Sequence, residues 1–290
     1  MSDVRALTPN LLREWPLPPR DGAKDVRGGV LVLGGARRTP GAVALAGLTA
    51  LRIGAGRLTL AVAESVAAPL AVATPEAGVL GLPESAAGSP TGELPPELLA
   101  EIERADAVVV GPGLDEPEGC AALVRGVLAA AGDAEGAGPA LLLDAFALGV
   151  LPGLDDVTLP AGRVVLTPNV TEAGRLLDGA DVAPEEAAAR VAARWRAVVT
   201  CAGRVAHPDG RQWESATGYA GLGTSGSGDV LAGAVAGLLA GGCPPEQAAS
   251  WGTAVHGAAG DRLAARVGPL GYLARELADE VPAVLVELQP

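Results

Sequence analysis

Residues Gly221 to Gly242 read GLGTSGSGDVLAGAVAGLLAGG, and they are the stretch with the clearest chemistry. Glycines and hydroxyl residues run to Gly226-Ser227-Gly228-Asp229. An Ala-rich apolar segment, Val230 to Ala240, follows and stops at Gly241-Gly242. The pattern predicts a flexible loop feeding a helix N-terminus. Such a terminus offers unpaired N–H groups at the positive end of the helix dipole, and glycines let phosphate oxygens approach them closely. The Asp229 carboxylate would repel a phosphate held there. Its chemical use beside an anion hole is as a base on a hydroxyl that attacks the phosphate. The structural alternative is that Asp229 caps the helix, since Asp is a favoured capping residue. No G-x-x-x-x-G-K-[ST] loop occurs, and the motif does not follow a strand as a Rossmann G-x-G-x-x-G would.

A base and an anion hole need a scaffold that brings distant segments together. Gly29–Leu33 reads as a buried strand ending at Gly34-Gly35, and Pro40 to about Ile53 reads as a helix with Thr39 as its N-cap. Arg57–Val62 is the next strand. Further strands are expected at Ala77–Leu82, Ala107–Val110, Ala140–Asp144, Val164–Leu166 and Ala197–Thr200. Helices are expected at Pro96–Arg104, Pro117–Ala131 and Pro184–Arg194, with later ones from Pro244 to about Gly260 and from Tyr272 to Glu280. Thr8-Pro9 opens a short helix, Trp15-Pro-Leu-Pro-Pro an extended arm, and Pro208-Asp209-Gly210 turns a hairpin within Val205–Ser215. The Gly/Asp/Pro-rich stretch 132–139 reads as a loop. Apolar strands alternating with helices mean an α/β chain whose mostly parallel sheet is covered on both faces. No charge block, linker or repeat marks a boundary, so residues 1–290 read as one domain.

In open α/β sheets, ligands bind beyond the carboxyl ends of the strands. The residues there are Gly34-Gly35, Gly111-Pro112-Gly113, Asp144, Thr167-Pro168-Asn169 and Thr200-Cys201. Several are small, which suits a cleft admitting a bulky ligand. Glu172, three residues after Asn169, is placed as a helix N-terminal carboxylate. Arg37-Arg38 could grip an anion or be solvated. His256 lies among small apolar residues, as a packed or capping histidine does.

Composition excludes several function classes. A net charge of −13 argues against nucleic-acid or anionic-membrane partners. Phosphate must then be held by backbone and a few arginines, since Lys24 is the only lysine. With 49% hydrophobic but only 2% aromatic residues, the core must be built from Ala, Val and Leu. Cys120, Cys201 and Cys243 lack metal or redox spacing, and two histidines make a zinc cluster improbable. No signal-peptide core and no apolar span long enough for a membrane helix is present, so a cytoplasmic protein is expected.

Four stretches in this order carry a family resemblance: GGVLVLGGARRTPGAVALAGLTALRIGAGRLTLAV, ADAVVVGPGL, VVLTPNVTEAGRLL and GTSGSGDVLAGAVAGLLAGG. Together they resemble the NAD(P)H-hydrate dehydratases, a carbohydrate-kinase-like family of nicotinamide repair enzymes, from about Gly28 to about Ala264. The resemblance implies a ribokinase-like three-layer sandwich without a fused epimerase domain. It implies a lyase that dehydrates hydrated NADH or NADPH (the S epimer) by phosphorylating the ring hydroxyl, with ADP or ATP as co-substrate and Mg²⁺ as cofactor. It also implies a homo-oligomer, a tetramer being one form. By the same transfer, Ala42, Gly113, Asn169 and Asp229 contact the hydrated dinucleotide, Asp229 as the catalytic base. Thr200, Cys201, Ala202, Gly203 and Arg204, with Gly226, Ser227 and Gly228, contact the adenine nucleotide. No residue is assigned to the metal.

Three positions depart from the family pattern. Asn169 stands where histidine is usual. Phe146 replaces an aspartate in Asp144-Ala-Phe-Ala-Leu148. The loop Thr200–Arg204 is short, lacks the usual lysine, and leaves Arg204 as its only basic residue. The first two bear on substrate contacts and the third on the nucleotide, where Mg²⁺ and Arg204 are the candidates for neutralising charge. Two other readings stay open on sequence: a ribokinase-like kinase of a small alcohol such as a vitamin precursor, and a degenerate nucleotide-binding protein.

Overall fold

The protein is described here by a computed structural model covering residues 4–19, 22–132, 138–218 and 220–289, so most of the stretch read as a loop at 132–139 lies outside the described residues. Ten strands form one sheet: β1 (Val4–Ala6), β2 (Gly29–Leu33), β3 (Arg57–Ala63), β4 (Gly78–Leu82), β5 (Ala107–Val110), β6 (Ala140–Leu143), β7 (Val164–Leu166), β8 (Val198–Cys201), β9 (Arg204–Ala206) and β10 (Gln212–Glu214). Their order across the sheet is β1-β10-β9-β8-β7-β6-β5-β2-β3-β4. All neighbours are parallel except β9, which runs antiparallel to β8 and to β10. The Pro208-Asp209-Gly210 turn therefore does close a hairpin.

Alternation along each strand divides the core in two, because successive side chains point to opposite faces. Val30 and Val32 of β2 join the cluster built with α1 (Pro9–Glu14), α2 (Pro40–Arg52), α9 (Ser227–Ala240), α10 (Pro245–Val267) and α11 (Ala274–Leu288). Leu31 and Leu33 join the opposite cluster, with α4 (Pro96–Arg104), α5 (Pro117–Ala131), α6 (Phe146–Val150), α7 (Val170–Leu176) and α8 (Pro184–Trp195). The result is the expected helix–sheet–helix sandwich. The far edge of the sheet is the N-terminal segment: β1 pairs with β10, and the arm beyond α1 packs Trp15 on Trp213 with ring centroids 5.6 Å apart. The Trp251 indole N–H donates to the Trp15 carbonyl at 2.9 Å, and the Gln247 amide donates to the carbonyls of Trp15 and Pro16.

Small residues fix how closely α9 lies on α2. A Cβ on Gly233 would stand 2.1 Å from the Ala46 carbonyl oxygen, and one on Gly237 would stand 2.3 Å from Ile53 Cγ2. That close approach brings the N-termini of α9 and α2 together at the carboxyl end of the sheet, where the strand-following loops also converge.

Several elements differ from the sequence reading. Helix α3 (Glu64–Ala73) forms although Pro69 lies inside it, and α11 likewise runs through Pro282 to Leu288. Helix α10 continues past Gly260 to Val267. Thr39 occupies the N-cap position of α2 but makes no capping bond; its hydroxyl donates instead to the Gly113 carbonyl at 2.8 Å.

Candidate functional site

The floor of the site is two interlocked backbone loops. Gly35 N–H donates to the Pro112 carbonyl at 2.9 Å, and Ala36 N–H to the Gly113 carbonyl at 2.8 Å. A Cβ on Gly34 would lie 1.9 Å from the Pro112 oxygen, so only glycine permits this contact. Gly113 has φ +68°, and a Cβ there would meet the Thr39 carbonyl oxygen at 2.3 Å and Ala42 Cβ at 3.2 Å. Ala42 and Gly113, distant in sequence and expected on one ligand, are thus neighbours.

Asp229 is the third residue of α9, so the capping alternative does not hold: the N-cap position is Gly226, in a left-handed conformation with φ +88°. Among the described residues the Asp229 carboxylate has no hydrogen-bond partner, and burial alone pushes its pKa up to about 6. A poised, unbonded carboxyl with that value suits a general base at neutral pH. Ser227 N–H donates to the Thr224 carbonyl at 3.1 Å, whereas the N–H groups of Gly228 and Asp229 belong to the open first turn. A Cβ on Gly228 would have no atom within 4 Å, so this residue faces open space.

Two more carboxyls face this end of the sheet. Asp144 follows β6 and is buried, accepting a 2.7 Å hydrogen bond from the Thr167 hydroxyl. Its pKa is raised to about 8, first by burial and then by the nearby charges of Asp229 and Glu172. Glu172 is itself raised by burial. It forms a capping box with Asn169: Asn169 Oδ1 accepts from Glu172 N–H, and Glu172 Oε2 accepts from Asn169 N–H, both at 2.9 Å. Asn169 therefore starts α7 with its side-chain oxygen already engaged, as histidine could not do in the same way. Phe146 lines a cavity of about 540 Å³ with Leu114, Glu172 and Arg175. The backbone before it is strained: Ala145 has φ +48° and ψ −120°.

The Thr200–Arg204 segment is the end of β8, a two-residue turn and the start of β9. Ala202 (φ +49°) and Gly203 (φ +79°) make that turn, which needs left-handed conformations at both positions. Cys201 is buried, and its thiol is pushed up to about 12 by burial. Arg204 donates to Glu214 at 2.8 Å and to the Glu185 carbonyl at 3.1 Å, so its guanidinium is held between β10 and α8. Arg37 is likewise engaged, with Glu84, Ser65 and the Ala86 carbonyl.

Sequence reasoning missed what joins the two segments expected to contact the nucleotide. Helix α10 presents Thr253 and His256 on one face. The Thr253 hydroxyl lies 2.7 Å from that of Thr200, and His256 Nε2 lies 2.9 Å from the Ser227 hydroxyl. Ser227 is therefore turned inward, and only its backbone borders the cleft. Burial pulls the His256 pKa down to about 4, so its ring is neutral and holds the start of α9 by a hydrogen bond. The i, i+3 spacing of Thr253 and His256 was the available signal.

The family model described as NAD(P)H-hydrate dehydratase, of the carbohydrate-kinase type, matches residues 30–283. The chain belongs to this family. The match spans the glycine floor, the α7 capping box and Asp229. Among curated relatives, the ADP-dependent (S)-NAD(P)H-hydrate dehydratase of Xanthomonas campestris is 45% identical over 98% of this chain and 97% of its own. Among solved structures, an ADP/ATP-dependent NAD(P)H-hydrate dehydratase from Bacillus subtilis, crystallised with ATP and Mg²⁺, superposes with a TM-score of 0.81 at 29% identity and covers 99% of both chains. A ribokinase-like superfamily protein from Enterococcus faecalis gives a TM-score of 0.82 at 25% identity over 99% of this chain and 96% of its own. The sandwich is thus ribokinase-like, as the sequence resemblance implies.

Proposed function

We propose that the protein is an ADP-dependent dehydratase that returns hydrated NADH or NADPH, in the S form, to NAD(P)H. The observation that carries this reading is Asp229: an unbonded carboxyl, raised to about 6 by burial, at the open first turn of a glycine-led helix. Asp229 takes the proton of the ring hydroxyl. The oxygen attacks the terminal phosphorus of ADP, and the bond to AMP breaks. The ring nitrogen lone pair then expels phosphate, and loss of a proton from the adjacent ring carbon restores the double bond. The N–H groups of Gly228 and Asp229 face the transferring phosphoryl oxygens, whose charge they stabilise without reorganisation. The backbone of Thr200–Gly203 forms the other wall of the nucleotide site, while Ala42, Gly113 and Asn169 border the dinucleotide.

Mg²⁺ fits this end of the sheet. Among the described residues no three metal-ligating side chains come together, but Mg²⁺ is ordinarily held by one or two carboxylates plus substrate phosphates and water. Asp144 carries a strongly raised pKa, first through burial and then through crowding by Asp229 and Glu172, a repulsion that a cation relieves. Asp144 and Glu172 would hold the ion from the protein side, and it would neutralise phosphate charge that Arg204, tied to Glu214, leaves uncovered.

Among the described residues no helix is long and apolar enough to cross a membrane. The reading places the enzyme in the cytoplasm as a homo-oligomer, and takes residues 1–290 as one working domain. The test is incubation of the purified protein with hydrated NADH, ADP or ATP, and Mg²⁺, following reduced-nicotinamide absorbance. Recovery of absorbance with release of phosphate supports the dehydratase. A stable phosphate ester, or no recovery with either nucleotide, refutes it.

A further inference from the structure

Helix α10 ties down both ends of the segment that leads into α9. At one end the Asp261 carboxylate accepts from the Gly218 N–H at 3.0 Å. At the other, His256 bonds the Ser227 hydroxyl at 2.9 Å. Between the ties runs the glycine-rich stretch Gly221-Leu-Gly-Thr-Ser-Gly226, with Gly223 and Ser225 exposed. Gly221 sets the height of this stretch through relayed backbone bonds. Its carbonyl accepts from the Thr224 N–H at 3.3 Å, and the Thr224 carbonyl accepts from the Ser227 N–H at 3.1 Å. Ser227 opens α9, so the position of Gly221 is passed to the turn that carries the Gly228 and Asp229 N–H groups.

Gly221 is seated against Tyr272. That side chain is 2% exposed, and its hydroxyl is buried with no hydrogen-bond partner. A buried hydroxyl left unpaired is costly and uncommon in a folded protein. A Cβ on Gly221 would lie 2.6 Å from this hydroxyl and 2.4 Å from the Pro269 carbonyl oxygen. The Pro269 carbonyl accepts no hydrogen bond among the described residues. Gly221 thus stands between an unspent donor and an unspent acceptor. Gly268 (φ +122°) and Gly271 (φ +107°) flank the Pro269 segment and leave its backbone free to turn.

We propose that Tyr272 is a positioning residue for the nucleotide: its hydroxyl pairs with the Pro269 carbonyl when Gly221 moves off the line between them, and this latch holds the Thr224–Asp229 turn in its phosphate-binding position. The inference rests on the reading of that turn as the nucleotide site. Phosphate oxygens that draw on the Gly228 and Asp229 N–H groups shift the stretch between its two ties. Gly221 follows through Thr224, and the gap between donor and acceptor closes. A ligand moves an equilibrium only by what is gained in one state, and the latch bond is made in that state alone. Its loss should cost about fivefold in ADP affinity, the net worth of one hydrogen bond.

The test is Tyr272→Phe, which removes the hydroxyl and keeps the ring. Thermal melts, calorimetric titration with ADP and with NADH, and hydrogen exchange at the Thr224 and Ser227 amides are the readouts. Without ADP the variant should melt at or above the wild-type temperature, since the group removed is unpaired. ADP should bind about fivefold more weakly and NADH within about twofold. ADP should slow exchange at Thr224 and Ser227 in wild type, and less so in the variant. A variant that melts lower without ADP and keeps its ADP affinity overturns the proposal, because the hydroxyl is then already satisfied by a fixed water or serves packing alone. Equal losses for ADP and NADH overturn it too, as does wild-type exchange that ADP leaves unchanged. If Tyr272→Phe fails to fold, the wild-type exchange measurement decides alone. The expected ADP effects in a protein that does not dehydrate hydrated NADH leave the latch standing and remove the activity; a wild type that binds no ADP removes both.

Discussion

Replacing Asp229 by Asn tests the base and makes two observables move in opposite directions. The substitution is nearly isosteric and removes the charge. A folded-state pKa near 6 against the ordinary 3.8 means the native carboxyl binds more protons than the unfolded one between those values. Stability from this group therefore falls as pH rises through about 4 to 6 and stays low above. The amide that replaces it carries no charge to desolvate, so at pH 7 the Asp229→Asn variant should melt higher than wild type. A gain of about 1 kcal/mol corresponds to roughly 2–4 °C in a chain of this size. Turnover should fall by about 10² or more, the usual cost of losing a general base. In wild type, kcat/KM should climb tenfold per pH unit below about 6 and flatten above, so that activity at pH 5 is about one-tenth of the plateau. The assays are a thermal melt and absorbance recovery from hydrated NADH with ADP, both across pH 5 to 8. A variant that is less stable at pH 7 and retains activity within a few-fold would refute the assignment of Asp229 as a buried base.

Gly228→Val adds bulk where no protein atom lies within 4 Å, so the melting temperature should hold while the ADP constant rises by about 10-fold or more, the loss of one charge-assisted hydrogen bond; an unchanged constant would make the loop structural. Arg204→Ala should shift the ADP constant by less than about threefold, because the guanidinium is committed to Glu214 and an exposed pair contributes little; a tenfold rise in ADP titration would restore Arg204 as the phosphate grip. His256→Asn should flatten the acid limb of stability: a buried imidazole held near 4 loses stability as pH falls from about 6.5 to 4, which melts between pH 4 and 7 would record. If His256 positions α9, the ADP constant should rise more than kcat falls, and His256→Ala should exceed His256→Asn in that effect.

Much of this molecule was legible in its sequence because its strands are continuous apolar runs punctuated by glycine. The strands β2, β5 and β7 match the expected boundaries at Gly29–Leu33, Ala107–Val110 and Val164–Leu166. The misreadings share one cause, which is that tertiary packing overrides local signals. No helix was expected around Pro69 and the last was expected to end at Glu280, before Pro282, yet both prolines lie inside helices. Gly260 read as a stop, but α10 needs a bare backbone there to pass Leu222 and Tyr272. Strand β1 has three residues and no alternation, and exists only through β10. In the site, Asp229 and the glycine loop were apparent from composition. The clasp of Thr253 on Thr200 and His256 on Ser227 was not, because it joins segments 53 and 29 residues apart.

Three of the chain's four tryptophans meet where the N-terminal arm docks: Trp15 on Trp213, with the Trp251 indole bonded to the Trp15 carbonyl. In a protein this poor in aromatics, intrinsic emission is therefore a local instrument. It registers attachment of the arm to the β10 edge and to α10, and scarcely samples β2–β5 or the glycine floor. An unfolding curve recorded by tryptophan fluorescence alone would report the release of this arm. Agreement with far-ultraviolet dichroism would establish that the arm and the sheet come apart as one cooperative unit, and a fluorescence transition that precedes it would show that the arm detaches first.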